Sequence, residues 1–184
     1  MNKAWDEFGE KWPGTVADTI RIELHQASSP YTRTLARFGV PLNTDGTMDI
    51  SIPGTLSGTY YIVPVHKNSL ETWSSVPVSF SGSVVHYDFS NDISNAYGDN
   101  MKTFPGGHYA LYGGDVNTAG NYYPAPPSKD GMIDTEDVYY IFDSYNNGDL
   151  GYVVPDMNGD GMVDSNDMYI AYDNYLAGVY SMTP

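Results

Sequence analysis

Cysteine is absent from the 184 residues. A disulfide framework, a thiolate nucleophile, a zinc–thiolate site and an iron–sulfur cluster are absent with it. Cations are scarce: 8 Lys and Arg stand against 23 Asp and Glu, for a formal net charge of −15. Phosphate binding needs clustered Lys and Arg, so this balance disfavours nucleic acid as a partner. It equally disfavours an anionic membrane surface. No apolar run approaches the ~18 residues of a membrane-spanning helix, so no membrane insertion is expected. Met1-Asn2-Lys3-Ala4-Trp5-Asp6-Glu7 lacks an apolar h-region, so a secreted form is expected to be a mature chain or an excised fragment. No G-x-S-x-G, P-loop or G-x-G-x-x-G occurs.

What is present describes a folded protein. Apolar residues make up 41%, and 17 Tyr give aromatic weight that disordered acidic chains lack. The charge is unevenly placed. Residues 1–112 hold 11 acids and 7 bases, whereas residues 113–184 hold 12 acids and only Lys129. A boundary near Gly113-Gly114 is expected, giving an N-terminal aromatic segment (1–14), a β domain (15–112) and an acidic domain (113–184).

The β domain is read from alternation. Thr19 to His25 and Met48 to Ile52 alternate apolar and polar residues, and Leu35 to Val40 is a further candidate strand. Asn43-Thr44-Asp45-Gly46 is turn chemistry. Tyr60 to His66, Val76 to Phe80, Val84 to Phe89 and His108 to Tyr112 complete six or seven short strands, predicting an antiparallel β-sandwich, Ig-like or similar. At the N-terminus Trp5, Phe8 and Trp12 recur at i, i+3 and i+7, which predicts a short amphipathic helix that packs on the sandwich or docks a neighbouring module or subunit.

The acidic domain is a duplication at an offset of 30 residues. Asp130-Gly131-Met132-Ile133-Asp134-Thr135-Glu136-Asp137 matches Asp160-Gly161-Met162-Val163-Asp164-Ser165-Asn166-Asp167. Each acidic loop is followed by a helix-period run. Val138, Ile141, Phe142 and Tyr145 are the expected buried stripe of the first, and Met168, Ala171, Tyr172 and Tyr175 that of the second. Gly148 and Gly178 fall where helices end.

The second loop has the spacing of a calcium site. Asp156, Asn158, Asp160, Asp164 and Asp167 occupy positions 1, 3, 5, 9 and 12, Gly161 is the turning position 6, and the Met162 carbonyl is position 7. A hard cation takes about six to eight oxygens, and this loop offers them in order. In the first loop Asp130, the Met132 carbonyl, Asp134 and Asp137 are intact, while Asp115 and Asn117 precede Ala119 to Lys129, an insertion with Pro124, Pro126 and Pro127. Added loop length costs little entropy when its ends stay close, so a second site is predicted and two Ca²⁺ are expected.

Two D-x-N-x-D-G-x-x-D-x-x-D loops, each leading into a helix, resemble a type I dockerin module over residues of about 113–180. The resemblance implies a pair of loop–helix units related by pseudo-twofold symmetry, one Ca²⁺ in each, and a cohesin-like protein partner. It also implies that loop positions 10 and 11, here Thr135 and Glu136 and then Ser165 and Asn166, help choose that partner. A sandwich followed by such a repeat is similar to non-catalytic regions of large secreted bacterial proteins.

The other features are weaker. His25, His66, His86 and His108 are scattered one per expected strand, without zinc spacing. Trp73 reads as a core tryptophan or, alternatively, as a sugar platform. The expectation is a multidomain β + α chain, a sandwich followed by dockerin-like calcium loop–helix units. Its expected role is that of a non-catalytic extracellular or cell-surface module in protein–protein assembly, with a cohesin-like partner or copies of itself building a filament or surface structure. Trp5, Phe8 and Trp12 are candidate contacts for such a partner. The alternatives are a carbohydrate-binding sandwich with a calcium-stabilised appendage of a secreted enzyme, and, more remotely, a small hydrolase.

Overall fold

The computed structural model describes residues 1–117 and 129–184. It is mainly β-sheet with two helices. Strands β3 (Val16–Gln26) and β4 (Arg33–Asn43) form a long antiparallel pair, from Val16 opposite Asn43 to His25 opposite Arg33. Strand β5 (Thr59–Val65) lies on the other side of β3, and β6 (Val78–Ser79) pairs with β5, giving the order β4-β3-β5-β6. Two small hairpins stand apart: β1 (Trp5–Asp6) with β2 (Gly9–Glu10), and β7 (Lys102–Phe104) with β8 (His108–Ala110).

Alternation puts Ile20, Ile22 and Leu24 on one face of the sheet with Val40 and Leu42, and Tyr61, Val63 and Val65 on the other with Trp73. Both faces are covered, so the central strand also buries Glu23. Its carboxylate is met by Arg33 Nη1 at 2.8 Å, His25 Nε2 at 2.8 Å and Arg21 Nε at 2.9 Å. Burial pushes the Glu23 carboxyl up, but the hydrogen bonds of His25 and Arg33 and the two guanidinium charges outweigh it and hold it below its ordinary value of 4.5.

Several expected elements differ. Met48 to Ile52 and Val84 to Phe89 form no ladder, and Val76 to Phe80 contributes only β6. These segments cross the Ile22/Leu24 face as irregular chain around a cavity of ≈ 760 Å³, lined among others by Ile50, Ile62, Phe80 and Tyr87. Their alternation marks one apolar face, but Pro53-Gly54, Pro77 and Ser81-Gly82-Ser83 interrupt them before a ladder can propagate. The N-terminal helix is overturned as well: Trp5 to Glu10 is the β1–β2 hairpin. The Phe8 N–H donates to Asp6 Oδ1 at 2.9 Å and Gly9 takes φ +129°, a turn that no helix accommodates. Phe8 is 90% exposed, and Trp12 meets Tyr152 edge-on at 5.0 Å.

Helices α1 (Thr135–Asn147) and α2 (Ser165–Leu176) carry matching N-terminal capping boxes, Asp134 with Asp137 and Asp164 with Asp167. Gly148 ends α1 at φ +68°. The buried stripes are shifted from those expected. In α1 they are Asp137, Tyr140, Ile141 and Ser144, and in α2 Asp167, Ala171 and Asn174. Phe142, Tyr145 and Tyr172 face outward instead. The core between the helices is Val116, Tyr140, Ile141, Val163 and Ala171.

A depressed carboxyl stabilises the fold above its unfolded value, and that contribution is lost as pH falls toward the folded one. Wild-type Tm is therefore expected to fall as pH drops below 4.5, and Glu23→Gln to flatten that fall while lowering Tm at neutral pH. Calorimetry across pH 3–7 measures both; parallel acid profiles for wild type and variant would refute the assignment.

Candidate metal centre

In the second loop the chain turns around its own carboxylates. The Gly159 and Gly161 N–H groups donate to Asp156 Oδ1 and Oδ2 at 2.7 and 3.0 Å. Asp167 Oδ1 accepts from the Met157 and Asn158 N–H groups at 2.7 and 3.0 Å, and its Oδ2 from Asp164 N–H at 2.8 Å. The Asp160 N–H donates to Asn158 Oδ1 at 2.8 Å, and the Met162 N–H to Asp160 Oδ1 at 3.1 Å. Asp156 and Asp167 are fully buried.

The first loop repeats this pattern across its interruption. Asp137 Oδ1 accepts from the Val116 and Asn117 N–H groups at 2.7 and 2.8 Å, and its Oδ2 from Asp134 N–H at 2.9 Å. The Met132 N–H donates to Asp130 Oδ1 at 3.0 Å, and the Asp130 N–H reaches Asp115 Oδ1 at 3.3 Å. Asp115 and Asn117 thus stand to Asp137 as Asp156 and Asn158 stand to Asp167. Residues 118–128, which hold all of the insertion but Lys129 and include Pro124, Pro126 and Pro127, lie outside the described residues.

A short antiparallel bridge ties each loop to the exit of the other helix, Met162 with Leu150 and Met132 with Tyr180. Its bonds run through the neighbours, from Gly151 N–H to the Gly161 carbonyl at 2.8 Å and from Val163 N–H to the Asp149 carbonyl at 3.1 Å. In an extended chain one residue's N–H and C=O point the same way, so Met162 and Met132 turn both groups toward their own loops.

The electrostatics ask for a cation. Asp115 is 1% exposed, and its Oδ2 has no hydrogen-bond donor among the described residues. Burial pushes its carboxyl up to about 7, Lys129 opposing and Asp137 and Asp130 adding to the rise. Burial likewise raises Asp137 to about 6, and raises Asp156 and Asp167. The oxygen-only donor set, the inward carbonyls and the unsatisfied Asp115 oxygen fit a hard divalent cation. Among the described residues, however, no three His, Cys, Asp or Glu side chains converge as a ready-made cluster. The carboxylates of each loop are turned to its backbone N–H groups.

The remaining candidates separate clearly. Thr135, Ser165 and Asn166 are exposed on the first helical turns, with Glu136 half-buried among them. Trp73 is buried with its Nε1–H on Glu71 at 2.7 Å, so it is a core residue without a face for sugar stacking. Sequence reading missed Asn68. Its amide donates to the Val154 and Asp156 carbonyls at 3.2 and 2.9 Å. It also missed Lys67, whose Nζ meets the Val153 carbonyl at 3.2 Å and lies 3.7 Å from the Tyr152 ring. Nothing in the local pattern of His66-Lys67-Asn68 announces these long-range bonds.

Gly161 turns the second loop at φ +84°, and an added Cβ would lie 3.0 Å from Trp5 Cβ. Gly161→Ala is expected to destabilise the chain by about 1–3 kcal/mol. Gly148→Ala, at φ +68° with open space around it, is expected to cost less. Urea unfolding compares the two, and equal losses would remove the close approach from the account.

No protein-family model matches the chain, and no curated protein matches it. Among solved structures, a C-terminal interface mutant of a type II cohesin–X–dockerin complex from Acetivibrio cellulolyticus is similar to it, at 16% identity over 89% of this chain and 83% of that one. With a TM-score of 0.47, the likeness assigns neither family nor function.

Proposed function

We propose that this chain is a non-catalytic, extracellular calcium-binding module whose task is protein–protein assembly. The observation that carries the reading is the duplication of the loop at the level of individual hydrogen bonds, Asp137 to Val116 and Asn117 as Asp167 to Met157 and Asn158. Two loops that keep the same oxygens in the same order across an insertion are built for the same ligand. Asp115, Asn117, Asp130, Asp134, Asp137 and the Met132 carbonyl would hold one Ca²⁺. Asp156, Asn158, Asp160, Asp164, Asp167 and the Met162 carbonyl would hold the other. Each ion would replace the protons or lysine charges that the buried carboxylates otherwise demand. An Asp at position 12 suits the millimolar calcium found outside cells.

The assembly part rests on the helix surfaces. Tyr139 and Tyr169 are 64% and 66% exposed at equivalent positions, with Phe142 and Tyr172 beside them. Neither helix carries a Lys or Arg. A cohesin-like partner or a second copy of the chain would dock on this aromatic, acidic face and the first-turn residues Thr135, Glu136, Ser165 and Asn166. The exposed Trp5 and Phe8 of the N-terminal hairpin offer a further contact.

Calorimetry with Ca²⁺ and with chelator tests the cation. At a free concentration of 100 times Kd, each site is expected to add about 2.7 kcal/mol, a rise of several degrees in Tm. Asp156→Ala is expected to remove one of two bound ions in equilibrium dialysis. An unchanged Tm with no ion bound would refute calcium binding. Light scattering in Ca²⁺ tests self-assembly: growth that disappears in the Tyr139→Ser/Tyr169→Ser double variant supports copies of the chain, and a strict monomer overturns that version.

A further inference from the structure

The two loops share one seat. His66 to Leu70 leaves the end of β5, and its middle residue, Asn68, is buried between the sheet and both loops. The Asn68 side-chain amide donates to the Val154 and Asp156 carbonyls, so it holds the backbone at the first position of the second loop. The Asn68 main-chain carbonyl accepts from Gly114 N–H at 2.7 Å, one residue before the first position of the first loop. Ser69 continues this contact as a bridge to Gly113, and Lys129 Nζ, at the re-entry to the first loop, donates to the Ser69 and His66 carbonyls.

Asn68 is bonded to both loops at once, by its side chain to the second and by its main-chain carbonyl to the first. Its Oδ1 faces His66 Nδ1 at 2.9 Å, which fixes the amide so that both N–H donors point at the second loop. His66 Nε2 in turn faces Asp18 Oδ2 at 3.0 Å, and Asp18 Oδ1 accepts from the Tyr152 hydroxyl at 2.5 Å. Tyr152 lies on the approach to the second loop, so the circuit closes on itself through the sheet. On the other side Gly114 is closely packed: a Cβ there would lie 3.0 Å from Ile133 and 3.2 Å from the Ala171 backbone.

We propose that Asn68 is a positioning residue that couples the two calcium loops, so that a cation in one raises the affinity of the other. This rests on the calcium reading above. Ordering Asp156 fixes the Asn68 amide, and a fixed Asn68 presents its carbonyl to Gly114 already in place. The second ion then meets a loop whose first position needs less ordering. Reciprocity requires the same factor in the other direction.

Calcium titration of the full chain by calorimetry, set out as a mutant cycle, tests the coupling. In the otherwise wild-type chain, Asp156→Ala is expected to weaken the remaining site at least fivefold, the lower end of ordinary coupling. In the Asn68→Ala background the same substitution is expected to leave the remaining site unchanged. Asn68→Asp keeps the shape but replaces two donors with an acceptor, and is expected to uncouple the loops in the same way. Val63→Ala, a buried change in the sheet away from both loops, is expected to lower Tm yet keep the coupling, which separates positioning from general destabilisation. In the unsubstituted protein, the Asn68 side-chain amide signal in NMR is expected to move with both binding steps. Two ions bound independently, or coupling that persists in both Asn68 variants, would overturn the proposal while leaving calcium binding intact. No ion bound at all would overturn the calcium reading and this one together.

Discussion

A carboxylate taken out of water must find donors or a cation, and in this chain Asp115 and Asp156 are both buried at the start of their loops. Much of the surrounding architecture answers that demand. Asp156 receives two backbone N–H groups from the turn at Gly159 and Gly161. Among the described residues Asp115 receives one long bond, from Asp130, and its other oxygen has no donor. Asp137 and Asp167 each cap a helix and at the same time grip the entering strand of their loop. A single side chain therefore starts the helix and closes the loop, and the two events cannot be separated.

The sheet supplies what the loops lack. Lysine is absent after Lys129, so positive charge must come from that residue or from the β domain. Lys67 does the latter: burial lowers its ammonium, while Asp18, Asp156 and Asp167 pull it back up. Lys129 is similarly held, burial lowering it to about 8 against the pull of Asp115 and Glu71. The charge step near residue 113 marks a change of chemistry. It carries no information about mechanical independence, and hydrogen bonds from Lys67, Asn68, Asn100 and Lys102 cross it.

What the sequence made legible follows from what repeats. The loops could be aligned because side-chain oxygens at fixed spacing leave a clear register, and Asp115 and Asn117 could be placed by analogy although an eleven-residue insertion, Ala119 to Lys129, precedes Asp130. Strands β3, β4 and β5 were legible because alternation over several residues has few other causes. Three aromatics at Trp5, Phe8 and Trp12 carried too little information: the spacing that suggests a helix also fits a hairpin, and Gly9 decides for the latter. The helix stripes were misread by taking aromatic side chains as the buried ones. The helices bury the expected Ile141 and Ala171, but with Ser144 and Asn174 rather than Phe142, Tyr145 and Tyr172, which lie outside. Asn68 was illegible because the carbonyls its side-chain amide meets lie more than eighty residues away, and no local pattern encodes them.

The misread stripes bear on function. A helix pair that stood alone would turn its largest apolar side chains inward, since that burial is its main source of stability. Here the shared core is small, Val116, Tyr140, Ile141, Val163 and Ala171, and polar groups occupy the rest of the inward stripe. Those polar groups are anchored: Asn174 accepts from Lys102 Nζ and donates to the Gly113 carbonyl, and Ser144 donates to Asp149. The inward face is thus committed to fixing the helices against the sheet and the loops. The aromatic residues Tyr139, Phe142, Tyr169 and Tyr172 lie exposed on the outward face, and they recur at equivalent positions on both helices. Exposed apolar side chains that recur at equivalent positions on both helices form the surface on which the proposed assembly role rests, while the loops and their seat carry the structural role.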